Sequence, residues 1–151
     1  MPDAITLLTQ DHRSVDQLFE KYGSSPSPDI AKQICQELTI HAAIEESVLY
    51  PALADMDDGV SLNSEAVDEH AEMKKLIVKI QSLDYATDKV ESIVKELQGD
   101  VQHHVKDEET EMFPKMKEAL GAQVMNELGD KLAMVKETEV SVLAGLAPSD
   151  S

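Results

Sequence analysis

The sequence predicts an all-α protein in which a bundle of four helices is followed by a fifth. Its 151 residues suit a single domain, because a chain of this length can bury one core but not two. Aromatic residues make up only 3% of the chain whereas 42% is hydrophobic, which favours packed helices over a β-sandwich or barrel. Turn-forming residues at 23–28, 57–59, 84–88 and Gly121 divide the chain into segments of several helical turns.

The first two segments each carry an ionisable group where an aliphatic residue is expected. Apolar residues recur every three or four positions over 5–22, which predicts an amphipathic helix, and His12 falls within its buried stripe. The same spacing holds over 34–52, where His41 and Glu45 lie on the buried line. Both helices therefore point a histidine toward the predicted core.

The third and fourth segments repeat this feature. His70 lies on the buried line of 66–80, and both His104 and Glu108 lie on that of 90–112. Each of the four helices thus places a histidine on its buried line. The helix starts are predicted at the capping residues Asp3, Asp29, Ser64 and Asp88.

The fifth segment, over 124–142, is amphipathic but carries no histidine or acidic residue on its buried line. We expect it to pack against the bundle or to form a dimer. The domain organisation that follows is a helical bundle over 1–120, a packing helix of the same domain over 121–146 and a frayed tail over 147–151.

An internal repeat relates the two halves of the bundle. The pattern H-x-x-x-E-E-x-x-x-[YF]-P occurs at 41–51 and again at 104–114. An acidic residue followed by histidine also recurs, at 11–12 and at 69–70. Helices one and two therefore resemble helices three and four, which predicts two similar hairpins facing each other.

The repeated motif predicts a metal site. Residues four apart share a helix face, so the histidine and the first glutamate of each motif project together into the bundle. A buried carboxylate needs a compensating charge, and no Lys or Arg lies on these buried lines. One histidine on such a line is more often a hydrogen-bonded core residue, but four of the chain's five favour a metal, which would be iron, manganese or, less well, zinc. The predicted ligands are His12, His41, Glu45, His70, His104 and Glu108.

Charge and composition exclude several other classes of protein. Thirty acidic against thirteen basic residues give a net charge of −17, which opposes binding to nucleic acid or to anionic membranes. The single cysteine, Cys35, cannot form an internal disulfide, and neither a signal peptide nor a membrane-spanning stretch is evident. We expect a cytoplasmic protein, monomeric or weakly dimeric.

The complete set of motifs resembles the hemerythrin-like (HHE cation-binding) proteins, over residues 3–118 or so. This resemblance implies an up-down-up-down four-helix bundle that holds a non-haem di-iron centre, its two iron ions bridged by two carboxylates and an oxo or hydroxo group. It implies three pairs of ligands: Glu45 and Glu108 as bridges, His12 and His41 on the first iron, and His70 and His104 on the second.

Lys74 departs from the pattern of the oxygen-carrying hemerythrins, which place a second histidine four residues after the one on helix three. A lysine ammonium is a poor ligand, so about two coordination positions would stay open instead of one. That difference favours a protein that binds and reacts with dioxygen or hydrogen peroxide, in oxidative-stress response or in oxygen sensing or storage. A catalase- or peroxidase-like enzyme proper, and an iron-handling or nitric-oxide-responsive module, remain alternatives.

Three further residues lie beside the predicted ligands. Glu46 and Glu109 each follow a predicted bridging acid, and either is a candidate for an extra ligand, although a solvent-facing role is more typical of such positions. His103 lies about 100° from the buried line of its helix and is expected near the ligands or at the surface.

Tyr50 is the last residue to weigh, since a phenol near iron can act as a ligand or as a radical relay. It follows Glu45 by five residues, which is about 140° around an α-helix. We therefore interpret Tyr50 and Pro51, which recur as Phe and Pro at 113–114, as packing and kink elements. Pro51 can distort this turn, however, so Tyr50 is kept as a lesser candidate for a ligand.

Overall fold

The computed structural model describes residues 2–143, and within them all regular structure is helical, which confirms the predicted all-α class. The helices are α1 (Ala4–Ser24), α2 (Pro28–Ile44), α3 (Gly59–Ser82), α4 (Thr87–Asp107) and α5 (Phe113–Leu143). Helix α1 packs on α2 and α3 packs on α4, as expected of two up-down hairpins. The predicted frayed tail at 147–151 lies outside the described residues.

Two helices continue past their α-helical part through a π-helical turn. The turn Glu45–Leu49 follows α2, and the turn Glu108–Met112 joins α4 to α5. After the first of these come one α-helical turn, Tyr50–Ala52, and one 3₁₀ turn, Leu53–Asp55. A π-helical turn inside a helix inserts an extra residue and is often found at functional sites.

Of the predicted helix starts, one is confirmed. The Asp3 side chain accepts a hydrogen bond from the backbone N–H of Thr6 and caps α1. Helix α2 is capped by Ser27 because Pro28, which has no N–H and a fixed φ, suits the first helical position. The other three predictions are wrong, because the helices begin earlier and leave these residues inside them: Asp29, Ser64 and Asp88.

The hydrophobic core consists of two apolar clusters with the predicted ligands between them. One cluster joins the start of α1 to the π-helical turns and to α5, and includes Leu8, Phe113 and Leu132. The other fills the far end of the bundle around Phe19 and Leu97. The polar centre is thus held inside the bundle by carbon on two sides, where an unpaired charge is costly.

Helix α5 covers the bundle and bends at Gly121, whose φ of 85° lies in the left-handed region that favours glycine. Beyond the bend it packs against α1 through Met125, Leu128 and Leu132. The bend falls at the predicted boundary between 1–120 and 121–146, although that division of the domain stays a prediction. Within the described residues, none of the helices combines the length and apolarity needed to cross a membrane.

Contact between α5 and the start of α1 depends on Gly129, where an added Cβ would overlap the backbone of Pro2 and Asp3. We expect Gly129→Ala to destabilise the protein by about 1–3 kcal/mol because the two segments must move apart. Gly99→Ala is the matched control, since a Cβ there meets nothing within 4 Å, and it should stabilise α4 by about 0.5–1 kcal/mol. Chemical denaturation measures both, and equal effects of the two substitutions would contradict the packing described.

Candidate metal centre

The structure brings all six predicted ligands together in the core. They form two groups of four buried residues, and in each group one potential ligand atom per residue lies within 4.8 Å of the others. Glu45 and Glu108 belong to both groups. The first group is His12, His41, Glu45 and Glu108, and the second is Glu45, His70, His104 and Glu108. That these residues bind a metal stays a prediction. The positions and hydrogen bonds of their nitrogen and oxygen atoms show whether the site suits a cation.

In the first group, four nitrogen and oxygen atoms face one another without hydrogen bonds. His12 Nε2 lies 3.2 Å from Glu108 Oε1, and His41 Nε2 lies 3.3 Å from Glu45 Oε2. Within residues 2–143 these four buried atoms lack any hydrogen-bond partner. Unsatisfied buried polar atoms are rare and costly, so a converging set of two imidazole nitrogens and two carboxylate oxygens fits a cation well.

In the second group, the hydroxyl of Tyr50 stands among the donor atoms. Its oxygen lies 2.8 Å from Glu108 Oε2 and 3.0 Å from Glu45 Oε1, so it donates to one carboxylate and lies beside the other. It also lies 3.0 Å from His70 Nε2 and 3.2 Å from His104 Nε2. Burial, with the charges of the two carboxylates, raises the pKa of the phenol, so Tyr50 is a proton donor here.

The interpretation of Tyr50 as a packing element is therefore wrong, and the π-helical turn explains why. The backbone N–H of Tyr50 donates to the carbonyl of Glu45, five residues back, which places the phenol on the face of Glu45 instead of about 140° away. Pro51 favours this distortion because it has no N–H for the regular α-helical bond. A proline at the same place in both motifs was the signal in the sequence.

The second motif carries the same distortion with a different outcome. The backbone N–H of Phe113 donates to the carbonyl of Glu108, and the Phe113 ring lies parallel to the ring of His12, with centroids 6.1 Å apart. An apolar ring thus borders the first group where a phenol enters the second. The two halves of the centre have the same predicted ligand types but different neighbours.

Every imidazole of the centre binds a carboxylate through its other nitrogen. Glu46 and Glu109 serve this purpose, so they contact the histidines while their side chains stay 30% and 25% exposed. Asp11 and Glu69 were missed by the sequence reasoning, although both belong to the repeated acid-histidine pair. The Nδ1 contacts are His12 with Glu109 at 2.7 Å, His41 with Asp11 at 3.3 Å, His70 with Glu46 at 2.7 Å and His104 with Glu69 at 2.6 Å.

The four outer carboxylates in turn each meet a basic group. Lys74 lies 2.8 Å from Glu46, so it supports the carboxylate that holds His70. His103, which was expected near the ligands or at the surface, is 67% exposed and lies 3.4 Å from Glu69. Two partners lie outside the motifs and were not predicted: Arg13, which binds Glu109, and Lys136 of α5, which binds Asp11.

Without a metal, protons on His41 and His104 compensate the buried carboxylates. Burial lowers the pKa of His41, but Glu45 and Asp11 outweigh it and raise that pKa to about 10. Burial is likewise outweighed at His104, where contacts with Glu108, Glu45 and Glu69 raise the pKa to about 12. The pKa of Glu45 is held well below its usual value, because the nearby imidazoles outweigh burial. Metal ions would take the place of these protons.

A helical bundle that gathers histidines and glutamates into two adjoining buried groups is a cation-binding protein by fold and by chemistry. The family model described as "Hemerythrin HHE cation binding domain" matches residues 3–116, and a second match covers 65–147. The chain belongs to this family, as the resemblance of its motifs predicted. The second match begins within α3, in agreement with the internal repeat. Family and geometry together indicate a metal-binding protein, typically of iron.

One relative has a name that refers to DNA and not to cation binding. It is a protein named "DNA nickase" from Nostoc sp. (strain PCC 7120 / SAG 25.82 / UTEX 2576), and it is 28% identical to this chain over 145 residues. The match covers 93% of this chain but only 41% of that protein. No solved structure matches the chain.

The protonated imidazoles predict how the metal-free protein responds to pH. The pKa of His41 rises from 6.5 to about 10 on folding, so its contribution to stability is complete below pH 6.5 and is lost as the pH approaches about 10. The melting temperature of the metal-free protein should fall across this range, and Asp11→Asn should flatten the fall. Glu72→Gln, the same kind of change at an exposed carboxylate paired with Lys75, should leave the pH profile unchanged. A melting temperature that stays level across this range would contradict the assignment.

Proposed function

We propose that the protein binds two iron ions between its four central helices and reacts there with dioxygen or hydrogen peroxide. The observation that carries the proposal is the pair of buried groups sharing Glu45 and Glu108. Two groups with common carboxylates support about two ions bridged by those carboxylates. The four unsatisfied atoms of the first group support a cation there independently.

The choice of iron rests on the chemistry of the donors. Imidazole and carboxylate suit iron or manganese, whereas structural zinc more often draws on thiolates. The thiol of Cys35 lies in the far apolar cluster, away from the centre, and burial raises its pKa to about 11. The predicted ligand set is therefore His12, His41, Glu45, His70, His104 and Glu108.

The chain's own residues prepare the centre for a metal. Each outer carboxylate accepts a hydrogen bond from Nδ1 of an imidazole, which fixes the tautomer and turns Nε2 toward the shared glutamates. The apolar clusters on either side limit the entry of water. When iron is bound, it supplies the redox chemistry that dioxygen or peroxide requires.

Tyr50 is an additional candidate ligand, for the ion of the second group. Its oxygen lies within 3.2 Å of four donor atoms, so a cation held by those atoms has the phenol beside it. A bound metal ion strongly lowers the pKa of a group that coordinates it, which offsets the rise caused by burial. We propose that Tyr50 binds the second ion as phenolate.

Lys74 in place of a fifth imidazole would leave an anionic phenolate, that of Tyr50, as the additional ligand, and this supports turnover of peroxide over reversible carriage of oxygen. The Lys74 ammonium is paired with Glu46 and is 52% exposed, so it offers no fifth imidazole and no replacement for one. We propose a role in oxidative-stress response, or in oxygen sensing or storage, in the cytoplasm. A catalase- or peroxidase-like enzyme and an iron-handling or nitric-oxide-responsive module are the alternatives, and they differ in what the purified protein does with peroxide or nitric oxide.

Metal analysis of the purified protein, with its absorption spectrum, tests the site before any activity. About two irons per chain with charge-transfer absorption are expected, and His70→Ala should lower the iron content while the control Glu72→Ala, at an exposed residue of the same helix, leaves it unchanged. One tightly held zinc and no iron would overturn the proposal. Hydrogen peroxide added to the iron-loaded sample then separates the candidates. Oxygen evolution indicates catalase-like turnover, and a stable sample that bleaches and recovers with dioxygen indicates storage.

Tyr50→Phe tests the phenolate. We expect the iron-loaded wild-type protein to show phenolate-to-iron charge transfer in the visible range, and the variant to lose that band while it keeps its iron. Tyr85→Phe is the control, since Tyr85 follows the end of α3 and belongs to the far apolar cluster. A visible spectrum that is the same in Tyr50→Phe and wild type would show that the phenol does not coordinate.

DNA nicking is the function that the name of the relative suggests, and we do not extend it to this chain. The net charge of −17 repels the phosphate backbone, and the match spans less than half of that relative. We expect supercoiled plasmid to stay intact with the iron-loaded protein when no peroxide or reductant is added. Nicking that is abolished by Glu108→Ala would reverse this conclusion.

A further inference from the structure

A cavity of about 300 Å³ lies beside the centre, between the four helices of the bundle. All four imidazoles of the centre border it. The rest of its wall is almost entirely carbon, contributed by Val15, Leu38, Met73, Ile77, Val101 and Val105. Much of this wall is buried within the far apolar cluster, so the cavity is a part of the core that the protein's own side chains leave open.

The volume of this cavity exceeds what a diatomic molecule needs. A water molecule, which is about as large as dioxygen, takes roughly 30 Å³, whereas an apolar cavity of about 150 Å³ holds benzene. Native cores rarely leave voids much larger than a water molecule, because each lost contact reduces stability. We propose that this cavity binds an uncharged, largely hydrocarbon molecule of up to about ten carbon atoms, next to the metal centre.

Charge decides against an ionic ligand. Among the described residues that line the cavity, Lys74 is the one lysine, and no arginine or acidic residue lines it; the Lys74 ammonium is already paired with Glu46 at 2.8 Å. A carboxylate ligand could pair with Lys74 only by displacing Glu46, and it would approach a chain of net charge −17. A cation would lose its hydration against walls of carbon. An uncharged apolar molecule meets neither cost.

The mouth of the cavity is formed on α3. Lys74, Val78 and Gln81 line the cavity, are spaced four and three residues apart and so share one face of the helix. Val78 is 61% exposed, and an exposed valine beside the flexible stem of a lysine gives an apolar molecule a path from solvent. This face therefore connects the cavity to the surface.

The purpose of this binding rests on the proposed function, since the bound molecule would be an organic co-substrate held beside the centre. The binding itself does not require iron, so the two can fail separately. Isothermal titration calorimetry on the 151-residue chain, both iron-loaded and metal-free, tests it with 1-octanol and octanoate. These probes share a chain length and differ in charge.

We expect one saturable site per chain for 1-octanol and at least about tenfold weaker binding of octanoate, because its carboxylate must lose hydration. Ile77→Trp, which fills the cavity, and Val78→Trp, which obstructs the mouth, should each weaken binding of 1-octanol by about tenfold or more. Val67→Trp is the control, at an exposed valine of the same helix, and should bind 1-octanol as the wild type does. If Ile77→Trp does not fold, the surface substitution Val78→Trp still decides.

Three results would overturn the inference: no saturable binding of 1-octanol to either form, equal binding by Val78→Trp and wild type, or tighter binding of octanoate that is lost in Lys74→Met. Absence of binding in a sample with its full iron content would reject the cavity and leave the proposed function standing. Binding of 1-octanol to a protein that takes up no iron would support the cavity and reject the proposed function.

Discussion

The burial of two carboxylates, those of Glu45 and Glu108, is the constraint on which the structure of this bundle depends. Their side chains are 0% and 1% exposed, in the middle of an apolar core. An ionised carboxylate in such a place must be compensated within contact distance. Imidazoles surround the two glutamates, carboxylates bind the imidazoles, and basic groups bind those carboxylates. Negative and positive groups thus alternate from the core to the surface. Each group compensates the charge of the group that lies closer to the core.

The internal repeat provides most of this arrangement twice, but it does not make the two halves equal. Tyr50 and Phe113 occupy equivalent positions after equivalent π-helical turns. The phenol satisfies the donor atoms of the second group, whereas a carbon ring leaves those of the first group unpaired. The first group is therefore preorganised for a cation, and the second must exchange a hydrogen bond for one. A single hydroxyl group is enough to give the two groups of donor atoms different surroundings.

Helical periodicity gave correct helices and gathered the six candidate residues, since both follow from positions along one helix. Tyr50 was misplaced because a π-helical turn changes the angle per residue, and only Pro51 and its counterpart indicated the change. The three wrong caps have a similar origin, because side-chain preference at a helix start is weaker than the packing that extends the helix. The spacing of residues along a helix does not show where a π-helical turn or tertiary packing changes the local structure.

Contacts between distant parts of the chain could not be predicted from the sequence, for a different reason. Lys136 of α5 meets Asp11 across 125 residues, and nothing in the pattern around either residue specifies the partner. The fifth segment was predicted to pack or to dimerise because it lacks histidine on its buried line. The structure gives it a further role, since its lysine completes the chain of charges that ends at His41. An element without predicted ligands thus affects the centre through a carboxylate.

The surroundings of the centre differ in polarity from one side to the other, and this difference bears on what can approach the ligands. A carboxylate binds Nδ1 of every imidazole, and a basic group binds each of these carboxylates. A ligand that approached an imidazole from its Nδ1 side would have to break these hydrogen bonds. One approach that these hydrogen bonds leave free passes along the carbon walls of the cavity, past the exposed residues on α3. Anions meet an acidic protein there, and water meets few partners. The same charges that stabilise the buried glutamates therefore leave the apolar side as the open one, and they favour small or uncharged reactants.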